Sequence, residues 1–148
     1  MAKANSKPIY IGVLGFGNVG CGTVYTLLAN RESIALKVGR PIEVKLVADL
    51  DWERSRPVEV ELSEAQKTKD AHQVTDDPDI EIVIETIGGL EPAYDLVMRA
   101  LGNKKSVVTS NKELIAKRGR EILEEADRQG VDVCFEGAVA GGIPIIRP

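Results

Sequence analysis

The sequence predicts an α/β fold in which a doubly wound, mostly parallel sheet carries helices on both faces. Short apolar runs alternate along the 148 residues with longer segments whose apolar residues recur at helical spacing. The runs are apolar at nearly every position, which is typical of parallel strands buried on both sides. Hydrophobic residues make up 43% of a chain of one domain's length, so it can build a single core.

Each element has its own local signal. Strands are predicted where β-branched and aliphatic residues run together, over 9–14, 42–48, 80–84, 106–109 and 131–135. Helices are predicted where apolar residues keep helical spacing, from Val19 to about Asn30, over 93–101, and from 110–113 toward Gly130. Residues 31–41 are either an extension of the first helix or a loop.

Capping residues predict where the helices begin and end. Pro92 is expected to be the first residue of the second helix, and Gly102 to end it in the left-handed conformation. Ser110 starts a capping box and should therefore be the N-cap of the third helix. In the charged middle of the chain, Ser63 starts another capping box and a short helix, whereas 74–78 is predicted to be a loop.

Composition excludes several classes of protein. Lys and Arg number 19 against 23 Asp and Glu, and the net charge of −4 argues against a nucleic-acid or anionic membrane partner. No apolar stretch approaches the roughly 20 residues of a membrane span. Two cysteines are too few for a disulfide scaffold, which favours a reduced, cytoplasmic setting. The single histidine, His72, lies in a charged segment and is expected at the surface.

A glycine-rich motif follows the first predicted strand and precedes the first helix. In that context the pattern Gly15-x-Gly17-x-x-Gly20 predicts a Rossmann-type dinucleotide site. The first glycine allows the turn, the second lets the backbone approach a pyrophosphate, and the third lets the helix pack closely. Backbone N–H groups of the loop would hold the phosphates, which assigns to cofactor binding Gly15, Phe16, Gly17, Asn18, Val19 and Gly20. The alternative is a plain glycine-rich turn.

Two further positions bear on the cofactor. Asp49 ends the second strand, where a carboxylate would bind the ribose hydroxyls of NAD, although its distance from Gly20 is longer than usual. Arg54 and Arg56 follow it and would instead meet the 2′-phosphate of NADP. Asp49 is equally compatible with capping a turn, so the choice between NAD and NADP stays open.

The turn after the predicted strand at 80–84 is also assigned to cofactor binding. Thr86 and Gly88 lie at the carboxyl end of a strand, the edge at which open α/β sheets bind ligands. We expect them to border the nicotinamide ribose. A loop that needs glycine only for its geometry explains the same residues nearly as well.

Lys112 is the candidate catalytic residue. A cation in the first turn of a helix opposes the helix dipole, so structure alone disfavours it there. The same dipole favours the uncharged amine, which suits proton transfer. An exposed lysine that tolerates a small cost is an equally good explanation. Ser110 and Asn111, between the preceding strand and Lys112, are assigned to cofactor binding.

The chain closes with a run of small residues over 136–144. Such residues let backbone approach a ligand, and their carbonyl groups could bind a hard cation. A linker to another domain would look the same.

Four segments together resemble homoserine dehydrogenase, in the same order along the chain and over almost its whole length. They are the glycine motif at 15–20, the turn at 85–89, residues 107–116 and residues 135–146. The resemblance implies reduction of L-aspartate 4-semialdehyde to L-homoserine with NADH or NADPH. Lys112 would be a catalytic lysine and Gly142 would lie near the substrate. A monovalent cation such as sodium would be held by Glu136, Val139, Gly141 and Ile143.

The family also carries a substrate-binding and dimerisation domain that 148 residues do not accommodate. We therefore expect residues 1–148 to be the NAD(P)-binding domain of a longer enzyme, a homodimer or larger oligomer with a small-molecule substrate. One rival is another two-domain dehydrogenase that acts on amino acids or sugars. A second is a nucleotide-binding regulator without catalysis.

Overall fold

A computed structural model describes residues 7–142, and within them one sheet of six parallel strands. The strands are β1 (Ile9–Leu14), β2 (Ile42–Ala48), β3 (Lys67–Thr68), β4 (Ile80–Glu85), β5 (Ser106–Thr109) and β6 (Val133–Cys134). Their order is β3-β2-β1-β4-β5-β6. Because the order reverses between β1 and β4, this is the doubly wound sheet of dinucleotide-binding domains, and the predicted fold class is confirmed.

Helices cover both faces of the sheet. They are α1 (Asn18–Ala29), α2 (Arg31–Val38), α3 (His72–Asp76), α4 (Ala93–Gly102) and α5 (Lys112–Gln129). One buried cluster joins α1 to β1 and β2, and includes Ile11, Val13 and Val24. A second joins α3, α4 and α5 to the other face and includes Leu14, Val83 and Leu114. The strands are thus buried on both sides, which explains why their sequences are almost continuously apolar.

Two predicted helix starts are wrong by one residue. Asn111, not Ser110, is the N-cap of α5, and its Oδ1 accepts a hydrogen bond of 3.1 Å from the Leu114 N–H. Asn111 is buried and its amide also donates to the Gly89 carbonyl, so tertiary contacts select it over the serine. Pro92 is the N-cap of α4 rather than its first residue.

The predicted end of α4 is also wrong. Gly102 stays helical, and the left-handed residue is Lys104, with φ of 58°. The extra residues let Lys105 turn inward, where its ammonium donates to the Asp77 and Ile80 carbonyls. This buried contact overrides the preference for glycine at a helix end.

The middle of the chain contains two elements that the sequence did not predict. Residues 74–76, expected in a loop, belong to α3, and β3 was not predicted. Val74 is fully buried, and a Cβ built on Gly12 would come within 2.5 Å of its Cγ1. Packing into the space left by a strand glycine therefore fixes α3. The short helix at Ser63 is confirmed as a 3-10 turn with its capping box, and residues 31–38 form the separate helix α2.

Candidate functional site

A cleft of about 300 Å³ opens at the carboxyl ends of β1, β2 and β4. Its lining includes Gly15, Gly17, Asp49, Arg54, Lys69 and Thr86. A larger cleft of about 640 Å³ lies at the opposite edge of the sheet. Ligands of doubly wound sheets bind at the carboxyl ends, beside the point where strand order reverses, so the smaller cleft is the candidate site.

Two glycines of the motif are required by the fold itself. Gly15 has φ of 90°, and a Cβ there would lie 3.0 Å from backbone atoms of Thr86 and Ile87. A Cβ on Gly20 would lie 2.1 Å from the Gly15 carbonyl oxygen. These two residues therefore allow the loop to turn and α1 to pack against it, with or without a ligand.

Gly17 differs from both. Its φ of −75° suits any residue, and a Cβ there would meet only the Arg54 guanidinium, at 3.6 Å. Neither conformation nor packing within the chain demands glycine at this position, which lines the cleft. The requirement for a bare backbone here is instead explained by close approach of a ligand.

The start of α1 presents an anion-binding surface beside Gly17. This helix has no side-chain cap and no acidic residue in its first turn, where Asn18 and Val19 are exposed. Its dipole and the N–H groups of its first turn are therefore available to a phosphate. Phe16 points away from solvent and is only 3% exposed.

The Asp49 carboxylate is bonded to the loops on either side of it. Its Oδ2 accepts from the Phe16 N–H at 2.5 Å, and its Oδ1 from the Asp51 N–H at 2.8 Å. The carboxylate thus caps a turn and holds the glycine loop. Each oxygen keeps a further lone pair, so a role toward ribose hydroxyls stays a prediction.

The basic side chains that follow β2 differ in whether their donors are already occupied by the protein. Arg56 donates four N–H groups to backbone carbonyls, including that of Phe16, so a 2′-phosphate would find little of its guanidinium free. Arg54 is exposed and lines the cleft, with only a 3.5 Å ion pair to Asp51. Lys69, which sequence reasoning missed, lines the same cleft and makes no hydrogen bond or ion pair with residues 7–142. Little in the sequence indicated its role, because Lys69 is one of several charged residues in its segment. Its position at the cleft follows only from β3, which was not predicted.

Thr86 and Gly88 form the turn after β4. The Thr86 hydroxyl lies 2.8 Å from the Gly15 carbonyl oxygen and 3.1 Å from that of Leu14, so it locks the glycine loop to the neighbouring strand. Gly88 has φ of 81°, a conformation that favours glycine. Thr86 lines the cleft; contact of either residue with a nicotinamide ribose stays a prediction.

A buried carboxylate that sequence reasoning did not single out lies under this turn. Glu85 is fully buried, and its oxygens accept from the Thr109 hydroxyl (2.5 Å) and the Ile87 N–H (2.8 Å). The Asn111 amide bridges from Glu85 to the Gly89 carbonyl. Glu85 therefore ties the turn to the start of α5. An acidic residue at the end of an otherwise apolar strand was the available signal.

Lys112 is the first residue of α5 and is exposed. Its side chain makes no hydrogen bond or ion pair with any residue between 7 and 142. Ser110 lies beside it and is partly buried, and a Cβ built on Gly137 would lie 3.4 Å from its Cβ. The structure thus brings Lys112 to the carboxyl edge of the sheet beside the network of Glu85, with its ammonium available to a ligand.

The segment proposed for a cation is only partly within the described residues. Glu136–Ala138 and Ala140–Gly142 form 3-10 turns, with Val139 between them. Gly141 is left-handed, with φ of 57°. Ile143 lies outside the described residues, so the predicted set of four ligands is not assembled there. Within residues 7–142, no three His, Cys, Asp or Glu side chains cluster as a metal site would need.

Other sequence expectations concern single side chains. His72 is exposed, as predicted. Cys21 is buried and its thiol donates to the Val58 carbonyl. Over residues 7–142, none of the helices has the length and apolar character required to cross a membrane.

Comparisons with known proteins agree with the fold and the motifs. The family model described as the NAD-binding domain of homoserine dehydrogenase matches residues 15–136. Homoserine dehydrogenases of Bacillus subtilis and Pseudomonas aeruginosa are 44% and 45% identical over 141 residues, 95% of this chain. The crystal structure of a homoserine dehydrogenase from Thiobacillus denitrificans is 48% identical, with a TM-score of 0.83 over 94% of this chain.

The chain spans about a third of these proteins, covering 32% of each. The matched region begins within the glycine motif at Gly15 and ends at Glu136, and so includes the cleft, the Glu85 turn and Lys112. The chain therefore belongs to the homoserine dehydrogenase family, of which it matches the NAD-binding domain.

Proposed function

We propose that this chain binds NAD or NADP in the cleft at the carboxyl edge, as the cofactor-binding part of an enzyme that reduces L-aspartate 4-semialdehyde to L-homoserine. Membership of the family supports the reaction. The single observation that carries cofactor binding is Gly17, a glycine that lines the cleft without any need for glycine in the fold. In this proposal residues 1–148 are one domain, and further residues that bind the substrate come from other parts of the full-length enzyme.

The cleft offers each part of the cofactor a partner. The pyrophosphate would lie against Gly17 and the uncapped start of α1. The adenosine ribose would lie near the Asp49 carboxylate, with a 2′-phosphate of NADP meeting Arg54 and Lys69. The Glu85 network keeps the turn that carries Thr86 and Gly88 in place for the nicotinamide end.

Reduced NAD(P) supplies a hydride, which forms a C–H bond at the aldehyde carbon while the carbonyl oxygen takes up a proton. In our proposal Lys112 donates a hydrogen bond to that oxygen and transfers the proton. Its place at the carboxyl edge of the sheet, exposed and with a side chain that has no partner among residues 7–142, fits this role. The N-cap bond of Asn111 fixes the backbone that carries Lys112.

The remaining assignments rest on the family resemblance. A monovalent cation would take oxygens from Glu136, Val139, Gly141 and Ile143, and Gly142 would lie near the substrate. The partly buried Glu136 carboxylate, which makes no hydrogen bond with residues 7–142, supports this. We further propose that the full-length enzyme is a cytoplasmic homodimer or larger oligomer, which sedimentation of that enzyme tests.

The experiment that tests cofactor binding replaces two glycines, one at a time. Gly17 is the N-cap of α1, and Gly22 lies within that helix. Gly17→Leu places a side chain in the cleft, with a Cβ that meets only the Arg54 guanidinium at 3.6 Å, and should abolish NADH binding measured by calorimetry. Gly22→Leu, where a Cβ has open space on the same helix, is the control and should bind as wild type. Wild-type affinity of the Gly17→Leu variant would refute the proposed site.

Two further measurements distinguish NAD from NADP as cofactor, and homoserine dehydrogenase from another dehydrogenase or a regulator. NADH and NADPH titrations of Arg54→Met and Lys69→Met should show a larger loss for NADPH, because only NADPH carries the 2′-phosphate. The full-length enzyme should oxidise L-homoserine in preference to other amino acids and sugars. Binding of cofactor with no oxidation of homoserine would favour another dehydrogenase or a regulator.

A further inference from the structure

The Arg56 guanidinium occupies an unusual position between two loops of the cleft. Its Nε donates to the Phe16 carbonyl at 3.0 Å, on the glycine loop. Its Nη1 and Nη2 donate to the carbonyls of Asp51, Trp52 and Arg54, at 2.8 to 2.9 Å, on the loop after β2. Four of the five N–H donors of one side chain thus join the loop that would hold phosphate to the loop that would hold ribose.

Aromatic rings hold the guanidinium in place. Its Cζ lies 4.9 Å from the centre of the Phe16 ring and 5.3 Å from that of Trp52. The two rings are themselves 5.4 Å apart, at an angle of 39°. Because a planar guanidinium both stacks on rings and offers a fixed fork of donors, lysine cannot replace it here.

The contacts of Phe16 show why this arrangement matters for a ligand. Its N–H is held by the Asp49 carboxylate and its carbonyl by Arg56, so the loop is fixed on both sides of one residue. The same Asp49 carboxylate also accepts from Asp51. A ribose that hydrogen-bonds to Asp49 would share these oxygens with the two backbone donors, whereas Arg56 would keep all its contacts.

We infer that Arg56 is a positioning residue for the dinucleotide, which fixes the glycine loop through the Phe16 carbonyl while Asp49 is shared with the ribose. This inference rests on the proposed function. It assigns Arg56 no contact with the cofactor. Loss of Arg56 should leave the cleft residues present but their loop mobile, so that binding must order the loop at a cost in affinity.

The test compares the 148-residue chain with Arg56→Met, Arg56→Lys and the control Arg120→Met. Arg120 lies on α5 with a side chain that is 90% exposed, and within residues 7–142 it pairs only with Glu124. Calorimetric titrations with NADH and with ADP-ribose are made at a temperature where circular dichroism shows every variant folded. Both Arg56 variants should bind both ligands about tenfold or more weakly, and Arg120→Met as wild type.

Amide hydrogen exchange supplies a readout that a general loss of stability would not produce. In Arg56→Met the Phe16 amide should exchange faster, while amides of β4 and β5 keep their wild-type protection. Exchange that rises equally in the strands would make Arg56 merely structural and overturn the inference. Wild-type affinity in both Arg56 variants would overturn it too, with the proposed function intact. A wild-type chain that fails to bind NADH overturns both.

Discussion

The two edges of the sheet carry similar charged side chains but differ in how these are paired. At the amino edge, Lys45 forms ion pairs with Asp77 and Asp79 at 2.8 and 2.9 Å, and Arg99 pairs with Asp76 at 2.6 Å. At the carboxyl edge, Lys69 and Lys112 find no hydrogen bond or ion pair within residues 7–142.

The difference separates groups that hold the fold from groups that remain available. The larger cleft lies at the amino edge, yet several of its charges are already neutralised by neighbours, and it has no helix N-terminus like that of α1. The smaller cleft combines Lys69, whose side chain has no ion pair within residues 7–142, with an uncapped helix start, as an anionic ligand requires. The uncapped helix start, together with this lysine, therefore identifies the site better than cavity volume does.

The largest expected effect comes from Lys112. In the full-length enzyme, Lys112→Met should lower kcat by about 10²- to 10⁴-fold, the usual contribution of a proton-transferring group. Cofactor affinity and thermal stability should stay near wild type, since this side chain has no partner among residues 7–142. Steady-state kinetics, cofactor titration and thermal unfolding check this.

Lys117→Met is the matched control for Lys112, one turn further along α5. Lys117 is exposed and paired with Glu113 at 2.6 Å. Its replacement should leave kcat unchanged. If Lys112→Met turned over at the wild-type rate, the unpaired lysine would be an ordinary surface residue, and the contrast between the edges would lose its functional meaning.

Glu85 tests whether the carboxyl edge also depends on a buried charge. Glu85→Gln replaces one acceptor oxygen by an NH2 group, a donor that faces the donor of Thr109 or of Ile87, and should reduce the free energy of unfolding by about 3 kcal/mol. Glu81→Gln, on the exposed side of the same strand, weakens only an exposed ion pair with Arg40 and should change it by less than about 1 kcal/mol. Urea unfolding of both variants measures the difference. Equal stability of the two would show that the Glu85 network contributes little to the edge.

Sequence alone predicted the parts of this molecule that depend on local signals. The strand at 9–14, the glycine motif and the helix start near Lys112 follow from apolar runs, turn residues and capping patterns. Where a tertiary contact competes with a local preference, the prediction is wrong. Asn111 is the N-cap instead of Ser110 because its amide reaches the Gly89 carbonyl, a residue of another loop.

The candidate site shows the same division. Position in the motif was enough to select Gly17 and Asp49, but not to distinguish Arg54 from Arg56, which lie two residues apart. One lines the cleft and the other is bonded to four carbonyls. Lys69 and Glu85 were missed because their significance depends on which strands are neighbours in the sheet, information that no single segment contains.

Lys105 gives the smallest predicted effect and tests the amino edge. It is 3% exposed and donates to the carbonyls of Asp77 and Ile80. Lys105→Met destabilises the fold because both carbonyls lose this donor. It also stabilises the fold because it removes a charge from a buried position. Because these effects oppose each other, the free energy of unfolding should fall by only about 1 kcal/mol at pH 7.

The difference in stability between wild type and Lys105→Met should depend on pH. Burial holds the pKa of Lys105 below its usual value of 10.5. Between the lowered pKa and 10.5, the unfolded chain binds more protons than the folded one, so wild-type stability rises with pH relative to Lys105→Met. Urea unfolding of both proteins from pH 7 to 10.5 measures this. A difference that stays constant or shrinks would mean that the ammonium is not destabilised by burial, and that the amino edge accommodates its charge as readily as water does.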